Sequence, residues 1–405
     1  MRLGHLGGVT GMVMLAAVAS AHAGDESLPG QLQAVVDTYL ADRQQVEHIS
    51  GVALHVDLGH SRPIDVFAGT DGHGNPIDDR TLFQIGSNTK SFTAALVLRL
   101  EAEGKLSIDQ TVGDWLPQYP DWADVTIRSL LNMTSDIPNY TETVDIAQAM
   151  AADLHHQFSW QDLIAAVYDK GLPVPSGWFY SNTNNILAAM IIEAASGLSY
   201  RDALRDMLRQ LGLHNTFYAD GPYPPRVLDR LPVGIYANPA CTIYQPTPCT
   251  VSAWAPMLGQ DVSDENLSWA GPAGAAISNP DDIAAWIHAL FGLRVIPYRQ
   301  LQEMTSLVSS NTGQPIPDTT PDDPRGFGLD LGREYQANLG GSYWNYEGES
   351  WGFRLIFAYW PQYDLMITAA TNSQPPANED QLGPQVVGGA FQALQNQGLL
   401  QPSKD

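Results

Sequence analysis

Apolar residues recur at helical or strand spacing along most of the chain. Residues Gln31–Val46 carry apolar side chains three and four positions apart, which predicts an amphipathic helix. The run Gly51–Val56 predicts a strand, and Ile64–Phe67 predicts its hairpin partner. Similar patterns near the C-terminus predict three further strands and a last helix, over Phe327–Leu331, Phe353–Trp360, Leu365–Ala370 and Val386–Gln395.

The middle of the chain, from about residue 87 to 290, has mostly helical spacing. The Pro- and Gly-rich stretch Asp220–Gly271 has weak periodicity and predicts a long loop. Strands at both ends, in about 30–85 and 320–400, predict an α/β fold of the α+β type. We expect one antiparallel sheet built from both termini and flanked by helices, with an inserted, mostly helical region. Helices are predicted near Ser91–Glu103, Ile127–Met133, Gln161–Asp169, Asn184–Ala195, Tyr200–Leu211 and Asp281–Leu290.

The composition is that of a globular protein. Of the 405 residues, 44% are hydrophobic and the mean hydropathy is −0.15, which excludes a fibrous or polytopic membrane protein. Lys and Arg number 20 against 44 Asp and Glu, so the formal net charge is −24. Because such a chain repels phosphate backbones, no nucleic-acid partner is expected.

The first residues have the pattern of an export signal. Arg2 supplies positive charge, an apolar run extends from about Val9 to Val18, and Ala21–Ala23 forms a small-x-small cleavage pattern. The run is shorter than the roughly 20 apolar residues of a membrane-spanning helix. We therefore expect a signal peptide over residues 1–23 and a mature domain over 24–400. That domain would lie in the periplasm or outside the cell, without a membrane span.

The chain has two cysteines, Cys241 and Cys249. A close pair in an exported protein predicts one disulfide that closes a Pro-rich loop, with two free thiols as the alternative. Neither cysteine has a histidine at ligand spacing, so no zinc site is expected. The adjacent pair His155–His156 lies in a polar stretch. The pair is expected to be solvated, and the sequence contains no H-E-x-x-H, Walker or dinucleotide-binding motif, so we expect no metal and no organic cofactor.

Ser87 and Lys90 form the segment with the clearest chemistry. A strand-like run leads into a long helix here, so Ser87 falls at the helix N-terminus and Lys90 one turn later on the same face. A serine needs an adjacent base to become a good nucleophile, and a lysine can be that base when burial lowers its pKa. The alternative is an N-cap serine followed by a surface lysine. However, of the four lysines only Lys90 has a serine three residues before it.

This segment and three later ones resemble the serine β-lactamase and penicillin-binding-protein superfamily. The similarity is to the branch of class C β-lactamases, D-alanyl-D-alanine carboxypeptidases and related esterases. It covers roughly residues 30–375 and implies a β-lactamase/transpeptidase-like fold and an acyl-enzyme mechanism. The four segments read LFQIGSNTKSFTAALVLRLEAEGKLSIDQTVGDWLP, VTIRSLLNMTSDIPNY, PSGWFYSNTNNILAAMIIEAASGLSY and AGAAISNPDDIAAWIHAL.

The second motif of that family is Tyr-x-Asn. Three such triplets occur in the chain, and only Tyr180–Asn182 precedes an apolar helix in the context typical of the family. The resemblance implies that Tyr180 shares proton transfer with Lys90. It also implies that Asn182 holds the substrate amide and the lysine. An ordinary buried tyrosine is the alternative interpretation.

The third motif departs from the family, which has Lys-Thr-Gly or His-x-Gly beside the serine. The corresponding residues are Tyr346, Glu347 and Gly348. In the family this motif helps to bind the substrate carboxylate. Tyr346 can donate one hydrogen bond but carries no positive charge, and Glu347 would repel an anion unless it points away. Arg354 is a nearby cation that could compensate.

The stretch Gly348–Gly352 permits two interpretations. The resemblance implies an oxyanion hole made by the backbone amides of Ser87 and Glu349, which depends on geometry and not on side chains. The same stretch also fits the G-x-S-x-G elbow of α/β-hydrolases, with Ser350 as nucleophile. That fold requires a histidine later in the chain, and none of the ten histidines follows Ser350. We therefore reject the elbow.

The sequence thus predicts an exported serine hydrolase that works through an acyl-enzyme. The resemblance implies a D-alanyl-D-alanine carboxypeptidase-like peptidase acting on a small molecule or peptide. An esterase or a β-lactamase of the same fold is the alternative. A penicillin-recognising module that binds without turnover is a third possibility, against which the complete set of motif residues argues. The sequence does not predict an oligomeric state.

Overall fold

The computed structural model describes residues 27–59, 61–237, 257–375 and 379–401. The predicted export signal and the cysteines Cys241 and Cys249 lie outside these residues. Within them, every helix is too short or too polar to traverse a lipid bilayer. The strands are β1 Gly51–Asp57, β2 Ile64–Gly69, β3 Phe83–Gln84, β4 Ile277–Ser278, β5 Leu307–Ser309, β6 Pro315–Ile316, β7 Arg325–Phe327, β8 Gly332–Gln336, β9 Gly341–Glu349, β10 Arg354–Trp360 and β11 Leu365–Thr371.

One large antiparallel sheet joins strands from both ends of the chain. Its strand order is β2-β1-β11-β10-β9-β8-β7-β5-β6. Strand β1 lies between its hairpin partner β2 and the late strand β11, with Val52 opposite Thr371. The prediction of a sheet built from both termini is therefore confirmed. The short pair β3 and β4 forms a separate two-stranded ladder.

Helices cover both faces of the sheet. Most of them come from the segment of sequence between β2 and β5. The first helix begins after the N-cap Ser27 and ends before His48, whose left-handed backbone stops it. The helices are α1 Leu28–Glu47, α2 Thr89–Ala102, α3 Val112–Trp115, α4 Ile127–Leu131, α5 Val144–Ala152, α6 Trp160–Ala165, α7 Asn182–Ser196, α8 Tyr200–Leu211, α9 Pro225–Leu228, α10 Pro280–Phe291, α11 Tyr298–Met304 and α12 Gly388–Asn396.

Alternation along the central strands divides the core into two layers. One face packs against α1 and α12 through residues such as Leu54, Ile367 and Phe391. The other face packs against the helical region through residues such as Leu355 and Phe357. Strands buried on both faces read as continuous apolar runs, which is why β10 and β11 are easily found in the sequence.

Three predicted elements differ from the structure. The stretch Asp220–Gly271, predicted as a long loop, contains the short helix α9 in its described part. The run Phe327–Leu331 is not a strand: β7 ends at Phe327, and a buried turn with positive φ at Asp330 leads into β8. The apolar residues Phe327, Leu329 and Leu331 are buried because the turn packs against the core. Their spacing of two residues is the same as that of a strand. The helix predicted over Gln161–Asp169 ends early, at Ala165.

Candidate active site

Ser87 lies in a single tight turn that links β3 to α2. The turn spans Gly86–Asn88, and its chain direction is fixed because Ile85 N–H donates to the carbonyl of Ala276 at 3.0 Å. The Asn88 side chain is buried and donates to the carbonyl of Leu355 in β10 at 2.7 Å. These bonds hold the serine between the helical region and the large sheet.

Glycines allow the end of β9 to approach this turn closely. A Cβ at Gly348 would lie 2.0 Å from the carbonyl oxygen of Ile85 and 2.7 Å from the amide nitrogen of Ser87. A Cβ at Gly86, where φ is +47°, would lie 2.4 Å from the amide nitrogen of Glu349. The backbone of Glu349 therefore lies against the turn that contains Ser87, which is the arrangement that an oxyanion hole from the amides of Ser87 and Glu349 needs.

Lys90 is fully buried one turn into α2. Its Nζ donates to Ser87 Oγ at 2.9 Å and to the carbonyl of Ala273 at 2.7 Å. The ammonium group also lies 4.8 Å from the centre of the Tyr180 ring. The prediction of a buried lysine that faces the serine agrees with this geometry. The contact with Ala273 could not be predicted from the sequence, because it is made by a backbone carbonyl.

Tyr180 lies just before α7 and reaches the same serine from the other side. Its hydroxyl is 2.6 Å from Ser87 Oγ, with either atom able to donate. The chain before α7 is fixed by Phe179, whose amide donates to the carbonyl of Met133 at 2.9 Å. Trp178 packs on the Tyr180 ring at 6.3 Å between centroids. Lys90, Ser87 and Tyr180 thus form one hydrogen-bonded chain.

Tyr346 extends this chain at the third motif. It is buried, and its hydroxyl donates to the Tyr180 hydroxyl at 3.3 Å. Burial and, to a lesser degree, the charges of Tyr180 and Asp330 raise the pKa of Tyr346 well above its usual value. The phenol therefore stays protonated and neutral, and this position offers a hydrogen-bond donor without a charge.

Asn182 lies at the start of α7 beside this chain. Its side-chain amide donates to Thr141 Oγ1 at 2.9 Å, and its backbone amide donates to Asn139 Oδ1 at 3.0 Å. The side chain is not bonded to Lys90, whose partners are the serine and a carbonyl. The resemblance implied that Asn182 binds Lys90. In the structure the Asn182 side-chain amide binds Thr141 instead.

The other polar residues of the third motif face away from the serine. Because strand residues alternate, Glu347 lies on the face of β9 opposite to Tyr346, with its carboxylate near that of Asp380. Burial, and after it Asp380, raises the pKa of Glu347 well above its usual range. Arg354 is fully buried on that same face and forms ion pairs with Glu47 and Asp380. It therefore cannot supply the missing charge at the third motif.

A cleft of about 320 Å³ opens beside Tyr180 and Tyr346. Trp178 and Phe327 form an aromatic wall, with ring centroids 5.5 Å apart. Exposed Arg325 also lines the cleft and forms no ion pair with any described residue. Sequence reasoning missed Trp178, although it stands two residues before the motif tyrosine. Arg325 gave no signal, because only the pairing of β7 with β8 brings it to the cleft.

Comparison with known proteins agrees with the fold and motifs. The family model described as Beta-lactamase matches residues 36–390. The chain belongs to the β-lactamase family. Membership makes it a serine hydrolase of the β-lactamase fold, a group that forms acyl-enzymes with small substrates.

Curated relatives of this β-lactamase family member carry several activities. Penicillin-binding protein 4* of Bacillus subtilis is 34% identical over 164 residues, which are 39% of this chain and 35% of that protein. Esterase EstB of Burkholderia gladioli is 31% identical over 206 residues, 47% of this chain and 51% of the esterase. The chain thus matches about half or less of the length of these relatives.

Solved structures support the fold over nearly the whole chain. The D-amino acid amidase of Ochrobactrum anthropi in complex with D-phenylalanine gives a TM-score of 0.74 at 23% identity, covering 91% of this chain and 99% of the amidase. A penicillin-binding protein of Bacillus halodurans gives 0.64 at 20% identity, covering 90% and 100%. At this identity the likeness establishes the β-lactamase/transpeptidase-like architecture.

Proposed function

We propose that this protein hydrolyses an amide or ester through an acyl-enzyme on Ser87. The hydrogen-bonded chain of Lys90, Ser87 and Tyr180 carries the proposal, since it joins a nucleophile to two groups that can hold its proton. Asn139 and Thr141 bind Asn182 and fix its position. They form the side of the site where the side-chain amide of Asn182 would contact the substrate.

The reaction has two balanced halves. Ser87 Oγ attacks the substrate carbonyl, and its proton passes to the Lys90–Tyr180 pair. The oxyanion accepts hydrogen bonds from the amides of Ser87 and Glu349. The carbonyl re-forms as the leaving group departs with the proton, which leaves an ester on Ser87. Water then attacks that ester and gives one proton to the same pair. The pair passes this proton to Ser87 Oγ as the acyl C–O bond breaks, which releases the acid and the free serine.

The proposed substrate is a D-alanyl-D-alanine-type peptide, and the proposed activity is that of a carboxypeptidase. The resemblance supports this choice, and so does Arg325, a cation in the cleft that has no ion-pair partner among the described residues. A substrate carboxylate bound there would receive the charge-assisted hydrogen bonds that neutral Tyr346 cannot provide.

An esterase or amidase that takes neutral substrates is the second candidate. The neutral, buried Tyr346 favours it, because the third motif then offers one donor and no charge. Arg325 is exposed and long, so its placement over a substrate carboxylate costs side-chain freedom. One peptide, compared as free acid and as C-terminal amide, separates the candidates.

The first experiment is the intact mass of the protein after incubation with a penicillin, for wild type and Ser87→Ala. An adduct on wild type alone supports the proposal. Rapid loss of the drug without an adduct favours a β-lactamase. Absence of an adduct, of drug loss and of activity on activated esters would favour a binding module instead.

The second experiment compares Arg325→Ala with wild type on the free-acid and amide peptides. A carboxypeptidase should lose about tenfold or more in kcat/KM on the acid alone, the effect of one charge-assisted contact. Arg299→Ala, at an exposed helical arginine outside the cleft, is the matched control. An equal, small effect on both peptides would favour the esterase or amidase.

We also propose that the protein is exported and cleaved after Ala23. N-terminal sequencing of protein recovered from the periplasm or medium should then begin at Gly24. A mature protein that retains residues 1–23 inside the cell would contradict this. The Cys241–Cys249 disulfide stays a prediction, which intact mass before and after reduction and alkylation would test.

A further inference from the structure

A second cavity of about 320 Å³ lies between α8 and the segment that follows it. Arg201, Arg205 and Arg209 recur every four residues along α8, so they form one stripe beside the cavity. Arg226, from the short helix α9, and His214 complete the basic part of the lining. Four of the sixteen arginines in the chain therefore meet at one place.

The charges that line this cavity have one sign. The formal charge of the whole protein is −24, yet no carboxylate lines the cavity. Four other cavities formed by the described residues each contain at least one carboxylate. Of these five cavities, this one should therefore attract an anion most strongly.

The arginines are only partly neutralised. Arg201 lies 3.7 Å from Asp220, Asp202 pairs with Arg205 at 2.9 Å and Asp206 with Arg209 at 3.1 Å, but none of the three aspartates lines the cavity. Arg226 is exposed and forms no ion pair with any described residue. A guanidinium group in this state can bind a carboxylate or phosphate through two parallel hydrogen bonds.

The rest of the lining is mostly apolar, with three hydroxyl side chains, Thr216, Tyr218 and Tyr223. Leu208 and Leu213 come from the α8 side, and Phe217, Pro224 and Val227 come from the opposite wall. The volume lies at the lower end of the range for small-molecule sites. A simple inorganic anion would leave the apolar surface uncovered, whereas a ligand with a short hydrocarbon chain would cover it.

This cavity is separate from the proposed active site. None of its lining residues lines the cleft beside Tyr180 and Tyr346. The arginine-lined cavity is therefore not required by the hydrolase mechanism, and its ligand need not be a substrate.

We propose that the arginine-lined cavity binds an amphiphilic anion, with a phosphate or carboxylate headgroup on a short hydrocarbon chain. The headgroup lies among Arg201, Arg205, Arg209 and Arg226, and the chain lies on the leucine and phenylalanine walls. Such a ligand arises either as a free fatty acid or alkyl phosphate, or as the anionic part of a membrane lipid. The cavity volume of about 320 Å³ can hold one short-chain molecule, so we choose the free molecule as the ligand.

The test uses isothermal titration calorimetry on the full-length protein with octyl phosphate, octanoate, inorganic phosphate and octanol. We expect octyl phosphate or octanoate to bind, and the tighter of these two identifies the headgroup. Inorganic phosphate and octanol should bind at least tenfold more weakly. Arg201→Ala/Arg226→Ala should weaken binding by about tenfold or more. Ser87→Ala should leave it unchanged.

The controls separate the cavity from general charge. Arg299→Ala removes an exposed helical arginine elsewhere and should retain wild-type affinity. If the double variant does not fold, Arg226→Ala alone makes the same test at an exposed position. The proposal is overturned if octanol binds as well as octyl phosphate, or if Arg299→Ala weakens binding equally. Binding to anionic phospholipid vesicles without binding of octyl phosphate or octanoate would also overturn it.

Discussion

The contact between Gly348 and the nucleophile turn gives the sharpest prediction. In Gly348→Ala, the new Cβ would lie 2.0 Å from the carbonyl oxygen of Ile85 and 2.7 Å from the amide nitrogen of Ser87. Both are backbone atoms that cannot rotate away, so β9 must move from the turn. Loss of one oxyanion donor costs about 10²–10³ in kcat, or roughly 2.7–4 kcal/mol. We expect a loss at least this large.

The assay measures the rate of acylation by an activated ester. The urea midpoint of each protein is measured alongside it to show that the variant is folded. Gly388→Ala is the matched control, because its Cβ would make only an ordinary contact at 3.8 Å and the residue has helical φ and ψ. This control should keep its activity and gain up to about 1 kcal/mol of stability. The reasoning is refuted if folded Gly348→Ala acylates within about threefold of wild type.

Three further predictions concern single side chains. Tyr180→Phe should lower the acylation rate by about 10²–10⁴ with little change in urea midpoint; an unchanged rate would remove Tyr180 from proton transfer. Arg354→Met removes one of the two arginines that pair with the buried carboxylate of Glu47 and leaves Arg43 at 2.6 Å, so it should lower the unfolding free energy by about 1–3 kcal/mol in urea titration; a loss under 1 kcal/mol would contradict this. Burial raises the pKa of Glu265 well above its usual value, so its native state holds a proton that the unfolded state loses near pH 4.5. The thermal midpoint of Glu265→Gln should therefore exceed that of wild type increasingly as pH rises above about 4.5, and a pH-independent difference would contradict this.

Local pattern was sufficient for much of the fold. The prediction for Tyr200–Leu211 matches α8 residue for residue, because a Ser N-cap and a Gly C-cap bracket a strongly amphipathic run. The prediction for Leu365–Ala370 falls one residue short of β11. The prediction of a strand over Phe327–Leu331 was wrong, because apolar alternation indicates which residues are buried and not how the backbone is hydrogen-bonded. Strands as short as β5 and β6 have too few residues for any period to show.

The candidate site was predictable where chemistry and spacing act within one helical turn. Ser87 and Lys90 are such a pair, and the structure places them in hydrogen-bond contact. The directions of Glu347 and Arg354 were not predictable, because each depends on which face of β9 or β10 meets α1. The cleft position of Arg325 depends on strand pairing between distant segments. The catalytic roles of these residues stay proposals.

The position of β1 inside the sheet has a consequence for how the molecule is made. Thr371 Oγ1 in β11 donates to the carbonyl of Gly51 in β1, two residues separated by 320 positions. At roughly 5–20 residues per second of synthesis, β1 waits about 15–60 s for this neighbour. The amides of Ser87 and Glu349 likewise meet only when the late strands dock. A nascent chain therefore carries Ser87 long before the proposed active site is complete.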